Sequence, residues 1–227
     1  PSEASAFLWF GPHKRLADPI WSVDSSLLYC SGLIFDRDGR EVGQLLVDEM
    51  AFWERQGKWS PTHNIFAGVL TVGLDFSHQG FYVLRTWDRE RGAREVTLPL
   101  GPADSPLLIG GWLWWSPDGR YVGLGGGRGV LGLIRGDLSE ALVYETSRKP
   151  TGAPGLLLHG WTPDGDWMML ELGADMLFMT PEGTRALALE YDPSAPVGMG
   201  NYLREVPPPL QPRHVALRPV PAAPGSR

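Results

Sequence analysis

The sequence predicts an all-β protein assembled from repeated four-stranded units, and three observations carry that reading. A short motif, Trp then Ser or Thr then a tight turn, recurs four times along the chain. The 29 Gly and 21 Pro among 227 residues gather at regular boundaries between short apolar runs, as many short strands and tight turns require. Only Val47 to Gln56 (Val-Asp-Glu-Met-Ala-Phe-Trp-Glu-Arg-Gln) has a helical pattern, and it is expected as one short helix between units.

The first unit opens with Trp21-Ser22-Val23-Asp24-Ser25-Ser26-Leu27-Leu28, the second with Trp59-Ser60-Pro61-Thr62-His63-Asn64-Ile65-Phe66. The third opens with Trp115-Ser116-Pro117-Asp118-Gly119-Arg120-Tyr121-Val122, the fourth with Trp161-Thr162-Pro163-Asp164-Gly165-Asp166-Trp167-Met168. The four tryptophans stand 38, 56 and 46 residues apart, a period that fits one four-stranded unit each. In each opening, Trp-Ser or Trp-Thr ends a first strand. Pro sets φ, and Asp-Gly supplies the side-chain acceptor and the positive φ of a tight reversal.

A second strand follows, as in Tyr121-Val122-Gly123-Leu124 or Trp167-Met168-Met169-Leu170. Third strands are Leu33-Ile34-Phe35, Phe81-Tyr82-Val83-Leu84, Val130-Leu131-Gly132-Leu133-Ile134 and Met176-Leu177-Phe178-Met179. Polar turns then lead to outer strands: Asp36-Arg37-Asp38-Gly39, 88–92, 136–140 and Pro181-Glu182-Gly183. The units span about 19–47, 58–100, 112–146 and 156–190.

These W-S-P-D-G openings resemble the WD-repeat-like β-propeller repeats of TolB and of the propeller domains of prolyl-oligopeptidase-type peptidases. The resemblance spans roughly Pro19 to Glu190. It is closest in the third and fourth units, and weakest in the second, where Thr62-His63-Asn64 replaces Asp-Gly. It implies four-stranded blades around a central channel, and no single function, because the fold hosts many.

The ends remain to be placed. Ala6-Phe7-Leu8-Trp9-Phe10 reads as a strand before the first unit. Tyr202-Leu203-Arg204-Glu205 and His214-Val215-Ala216-Leu217-Arg218 read as strands after the fourth, separated by Pro207-Pro208-Pro209. Since open sheet edges invite misassociation, the expectation is a single β-propeller domain of four blades plus a composite fifth closed by strands from both termini, residues 1–16 and 191–220. The competing arrangements are four blades with a Pro-rich tail from about Pro207, and a chain that forms part of a larger propeller.

A formal charge of −6 and the absence of a Lys/Arg run argue against nucleic acid as a partner. Arg85, Arg89, Arg91 and Arg94, diluted by Asp88 and Glu90, are expected at a solvated hairpin tip. Cys30 is the only cysteine, which excludes an internal disulfide and a Cys-based zinc site, and its apolar run predicts a buried thiol. No apolar stretch reaches the eighteen or so residues of a membrane span. The polar start Pro1-Ser2-Glu3-Ala4-Ser5, without methionine, suits a spacer, and the expectation is an exported or surface-anchored protein held through residues preceding Pro1.

Enzyme signatures are sparse. Gly123-Leu124-Gly125-Gly126-Gly127-Arg128-Gly129 lacks the Lys-Ser/Thr ending of a phosphate loop and reads as a turn between strands. Asp36-Arg37-Asp38-Gly39 lacks the downstream ligands of a calcium loop. The five histidines show no metal spacing, and His159, on an inner strand, is expected to be hydrogen-bonded and structural. No G-x-S-x-G nucleophile elbow occurs, and no cofactor is expected.

Topology points to a surface instead. In this architecture the loops joining second to third strands, and blade to blade, leave one end, and the W-S-P-D-G turns leave the other. The first set is longer and places Phe52, Trp53, Arg55, His78, Arg128 and Asp175 on one rim as candidate binding residues. The expectation is a non-enzymatic module or scaffold holding a protein or peptide there. The alternative is a propeller-type hydrolase or lactonase with a channel-bound divalent metal.

Overall fold

The turns set the fold, and three of them share one wiring. In the third unit Ser116 N–H donates to the Tyr121 carbonyl and Gly119 N–H to the Ser116 carbonyl. The Ser116 hydroxyl donates to Asp118 Oδ1 at 2.6 Å while accepting Tyr121 N–H at 2.9 Å, and Asp118 Oδ1 also takes Arg120 N–H. Ser22 and Asp24 repeat this with Leu27 and Ser26, and Thr162 and Asp164 with Trp167 and Asp166. This is why the sequence needs a hydroxyl after Trp and a carboxylate two residues later. The next position has φ near +72° at Gly119 and +78° at Gly165, and in the first unit Ser25 carries +56° without being glycine.

The computed structural model describes residues 19–45, 57–72, 81–98, 113–126, 129–146, 156–191, 194 and 201–221. Among these residues every regular element is a strand. Sheet I comprises β1 (Ile20–Trp21), β2 (Leu27–Cys30), β3 (Leu33–Asp36) and β4 (Glu41–Gln44). Sheet II has β5 (Lys58–Trp59), β6 (Phe66–Val72), β7 (Phe81–Asp88) and β8 (Gly92–Thr97). Sheet III has β9 (Leu113–Trp115), β10 (Tyr121–Gly126), β11 (Val130–Arg135) and β12 (Glu140–Glu145). Sheet IV has β13 (Leu157–Trp161), β14 (Met168–Leu172), β15 (Asp175–Met179) and β16 (Ala186–Tyr191). Each is an antiparallel meander in sequence order, with the Trp motif joining its first two strands. The chain is thus all-β and built from blade-like four-stranded sheets.

Three apolar layers hold the sheets face to face. Between I and II, Tyr29 stacks on Phe66 at 3.9 Å, Trp59 meets Phe66 edge-on, and Trp87 lies over Gly43, where any side chain would collide with the indole. Between II and III lie Leu84, Val96, Leu113, Val122 and Ile134. Between III and IV lie Leu131, Leu133, Tyr144, Leu158, Met168 and Leu170, with Leu158 filling the space above Gly123. No core layer joins I to IV among the described residues.

The C-terminal strands correct the expected composite fifth blade. β17 (Asn201–Val206) pairs with β16 on the outer edge of sheet IV, β18 (Arg213–Ala216) with β12 of sheet III, and β19 (Val220–Pro221) with β8 of sheet II. The tail is a strap that crosses three outer edges in reverse order, and its strands do not share one blade. The reason is local. Each outer strand offers unpaired backbone groups, whereas Pro207 to Pro209 and Pro212 cannot donate to a ladder and so carry the chain between sheets. Leu210 is buried against the III–IV core, Gln211 donates to the Gly183 carbonyl at 3.0 Å, and Leu217 N–H to the Ser139 carbonyl. The candidate strand Ala6–Phe10 and the expected helix at 47–56 lie outside the described residues.

Two smaller expectations also change. Cys30 is only half-buried, because alternation along β2 turns Leu27 and Tyr29 toward sheet II and Cys30 to the opposite face. Only Arg89 and Arg91 form a solvated tip. Arg85 is clamped by Glu95 at 2.7 Å and donates to the Leu45 carbonyl, and Arg94 lies 3.5 Å from Asp88.

Candidate functional site

The two ends of the sheets differ in chemistry. At the end carrying the Trp motifs, the turns are tied to themselves and to one another. Asn64 donates to Asp24 Oδ2 at 2.7 Å, bridging sheets I and II, and Thr62 Oγ1 donates to the Asp118 carbonyl at 3.3 Å, bridging II and III. Arg37 donates to the carbonyls of Ser25 and Asp24. Thr62-His63-Asn64 is therefore a variation with a function in packing: where the Asp-Gly turn is missing, these side chains reach both neighbouring turns.

The electrostatics follow from that wiring. The Asn64 amide, then Ser26, hold the Asp24 carboxyl far below the usual range. At Asp118 burial pushes the carboxyl up, but the Ser116 hydroxyl, Arg120 N–H and Arg120 guanidinium outweigh it and hold it low. The Thr162 hydroxyl lowers Asp164. Asp24 and Asp118 accept hydrogen bonds on both carboxylate oxygens and have few lone pairs left for a ligand.

The tryptophans do what their recurrence did not announce. The Trp59 indole donates to the Ile20 carbonyl at 2.8 Å, and that of Trp115 to the Lys58 carbonyl at 3.0 Å. Each thus ties its inner strand to the residue before the preceding sheet's own motif Trp. Trp161 departs from this pattern: a bulge between Leu158 and Gly160 re-aims β13, and its ring stacks on Tyr121. Lys58 sits 4.0 Å above the Trp114 ring, and burial lowers its ammonium pKa. The signal was in the sequence, since a Trp at one fixed repeat position implies one repeated contact.

The described histidines are partnered. His159 meets Glu171 at 2.8 Å, His214 meets Glu140 at 2.6 Å, and His63 meets Thr62 at 2.7 Å. His214 is the foremost cause of the lowered Glu140 carboxyl, followed by Arg135. Among the described residues no three His, Cys, Asp or Glu side chains converge as a metal site would require, and no helix is long and apolar enough to cross a membrane.

Of the six candidate rim residues, Asp175 is described: it is exposed, opens β15 and pairs with Leu172 across the Gly173–Ala174 turn. Phe52, Trp53, Arg55, His78 and Arg128 lie outside the described residues. The stems of two of their loops are defined by Val72 paired with Phe81, and Gly126 with Val130.

No family model matches the chain, and no curated protein matches it. Among solved structures, the β-propeller domain of Myceliophteria thermophila Cps50 (Swd1) is similar at 14% identity, over 86% of this chain and 73% of that chain, with a TM-score of 0.29. A superposition that loose carries no weight for blade number or activity; strand order and register show four antiparallel four-stranded sheets of the kind that form propeller blades.

Proposed function

We propose that the chain is a β-propeller-type binding module, related in its repeat to WD-type and TolB-type propellers, that holds a protein or peptide on the end opposite the Trp-motif turns. The observation that carries this reading is the contrast between the ends. The turn end spends its polar groups internally, through Asp24–Asn64, Ser116–Asp118 and Thr62 to Asp118. The long connections after β4, β8 and β12 leave from the other end, and such loops are where binding residues are usually carried. Trp53 and Arg55 are the anchors of choice, because an aromatic ring beside a guanidinium combines large contact area with polar reach.

The test is comparative. Peptides selected from a displayed library against the intact chain are titrated against Trp53→Ala/Arg55→Ala and against Asp24→Ala/His63→Ala. The expected result is a loss of about 2 kcal/mol or more for the first pair, with an unchanged circular dichroism spectrum. Equal loss for both pairs, or loss only for the second, rejects the assignment.

A further inference from the structure

The C-terminal strap is bonded along its length and buried at one point. Within 201–217 only Leu210 is buried; Asn201 to Glu205 of β17 are exposed, and in β18 Val215 alone is half-buried. The strand beneath β18 is its opposite, buried from Ala141 to Tyr144. The strap's side-chain contacts are mostly ionic. Arg204 and the Tyr202 hydroxyl meet Glu190 of β16, Arg213 meets Glu145 of β12 at 3.3 Å, and His214 meets Glu140 at 2.6 Å. Arg204, Arg213 and His214 each keep more than half of the side chain exposed, so salt screens these pairs and each contributes little. Apolar support is thin: Val206 and Leu210 rest on the III–IV core, Val215 and Leu217 on the II–III core. The ladder bonds to β16, β12 and β8 would be exchanged for bonds to water on release, so they too contribute modestly.

We propose that β17, β18 and β19 form a releasable clasp, which leaves the outer edges of sheets IV, III and II as one piece while the four sheets stay folded. Two features make release a single event. Val206 and Arg213 are joined by six residues, four of them Pro207, Pro208, Pro209 and Pro212, and so stiff a link carries the movement of one strand to the other. Leu210, between the two strands, is the latch. It lies with Pro212 against the β15–β16 turn, where Gly183 has φ near +68° and a Cβ would stand 2.8 Å from Pro212 Cδ and 3.2 Å from the Leu210 carbonyl oxygen. Gln211 donates to the carbonyl of the same glycine.

The prolines also hold the released segment extended, so that little ordering is needed for it to dock again. Release frees backbone donors and acceptors on β8, β12 and β16 together, and open edges of that kind accept an added strand. The clasp therefore sets whether three sheet edges are closed or open, without unfolding the cores between the sheets.

Native-state amide exchange on the whole chain, followed residue by residue by NMR, tests this. The ladder amides of β17 and β18 should exchange about a hundredfold faster than those of β11. Raising salt to about 1 M should speed both strap strands several-fold and leave β11 unchanged. Leu113→Ala, on the inner edge of sheet III away from the strap, should speed β11 about thirtyfold or more and leave the strap's rates as they were, because local release does not pass through unfolding of the core. Leu113→Val serves the same comparison if the first variant fails to fold. Leu210→Ala should instead speed β17 and β18 together, by about thirtyfold. Equal protection of strap and β11, a Leu113 variant that speeds both alike, a strap indifferent to salt or to Leu210→Ala, or different responses of β17 and β18 overturns the proposal.

Discussion

Sheets III and I are built on the same turn, yet among the described residues one is packed on both faces and the other on one. In sheet III the runs Leu131 to Ile134 and Ala141 to Tyr144 are buried throughout, so consecutive residues serve opposite neighbours, and β18 covers the outer edge. In sheet I only alternate residues are buried, the outward face is half-exposed, and no fifth strand pairs with β4 among the described residues. The same local grammar therefore supports very different local stability. What separates the two sheets is how many neighbours each has.

The largest expected effect is in the core of sheet III. Leu133, fully buried between III and IV, should cost about 3–4 kcal/mol on Leu133→Ala, because transfer and cavity costs add. Leu28→Ala on the outward face of sheet I should cost about 1 kcal/mol or less in a monomer. Chemical denaturation of both variants measures the difference. Equal costs would show that sheet I is as enclosed as sheet III.

The turns sharpen the comparison at a smaller scale. Gly119→Val should destabilise by about 1–3 kcal/mol, since it places a branched residue at positive φ and drives its Cβ into the Thr62 hydroxyl. The matching position in sheet I already holds a non-glycine residue at positive φ, so Ser25→Gly should stabilise by about 0.5–1 kcal/mol. Thermal melts of the two variants should move in opposite directions.

The smallest effect is in acid. The native Asp118 carboxyl lies below its unfolded value of about 3.9, so the folded state binds the proton less tightly than the unfolded one. Its contribution is present above that pH and is lost as pH falls through the native value. Between neutral pH and about pH 2 the wild type should therefore lose more stability than Asp118→Asn, read from urea midpoints. Parallel curves would show that the Ser116–Arg120 network does not hold the charge.

Much of this fold was legible because it is local. The hydroxyl of Ser116, the carboxylate of Asp118 and the φ of Gly119 interact within five residues, so the turn is written where it forms. The weakness of the second turn was equally visible in Thr62-His63-Asn64. The strands at Tyr202 to Glu205 and His214 to Ala216 were legible as strands, but their partners were not: β17 and β18 join sheets IV and III through backbone groups that any sequence carries. The half-buried Cys30 was misread for a related reason, since the run Leu27-Leu28-Tyr29-Cys30 looks alike whether one face or both are covered. Of the candidate binding rim, Asp175 is described and opens a strand at an exposed position beside the Gly173–Ala174 turn, which its sequence context identified.

The amino-acid sequence by itself determined the four turns, the strands between them and their order, because short-range hydrogen bonds and φ preferences decide those within a few residues. Tertiary structure decided that the tail crosses three outer edges in reverse, that Trp59 and Trp115 bind a preceding strand, and that, among the described residues, sheets I and IV each bury one face against a single neighbour. Those outcomes depend on which edges and faces meet in space. Backbone donors and apolar side chains are too alike along a β-rich chain to name their partners in advance.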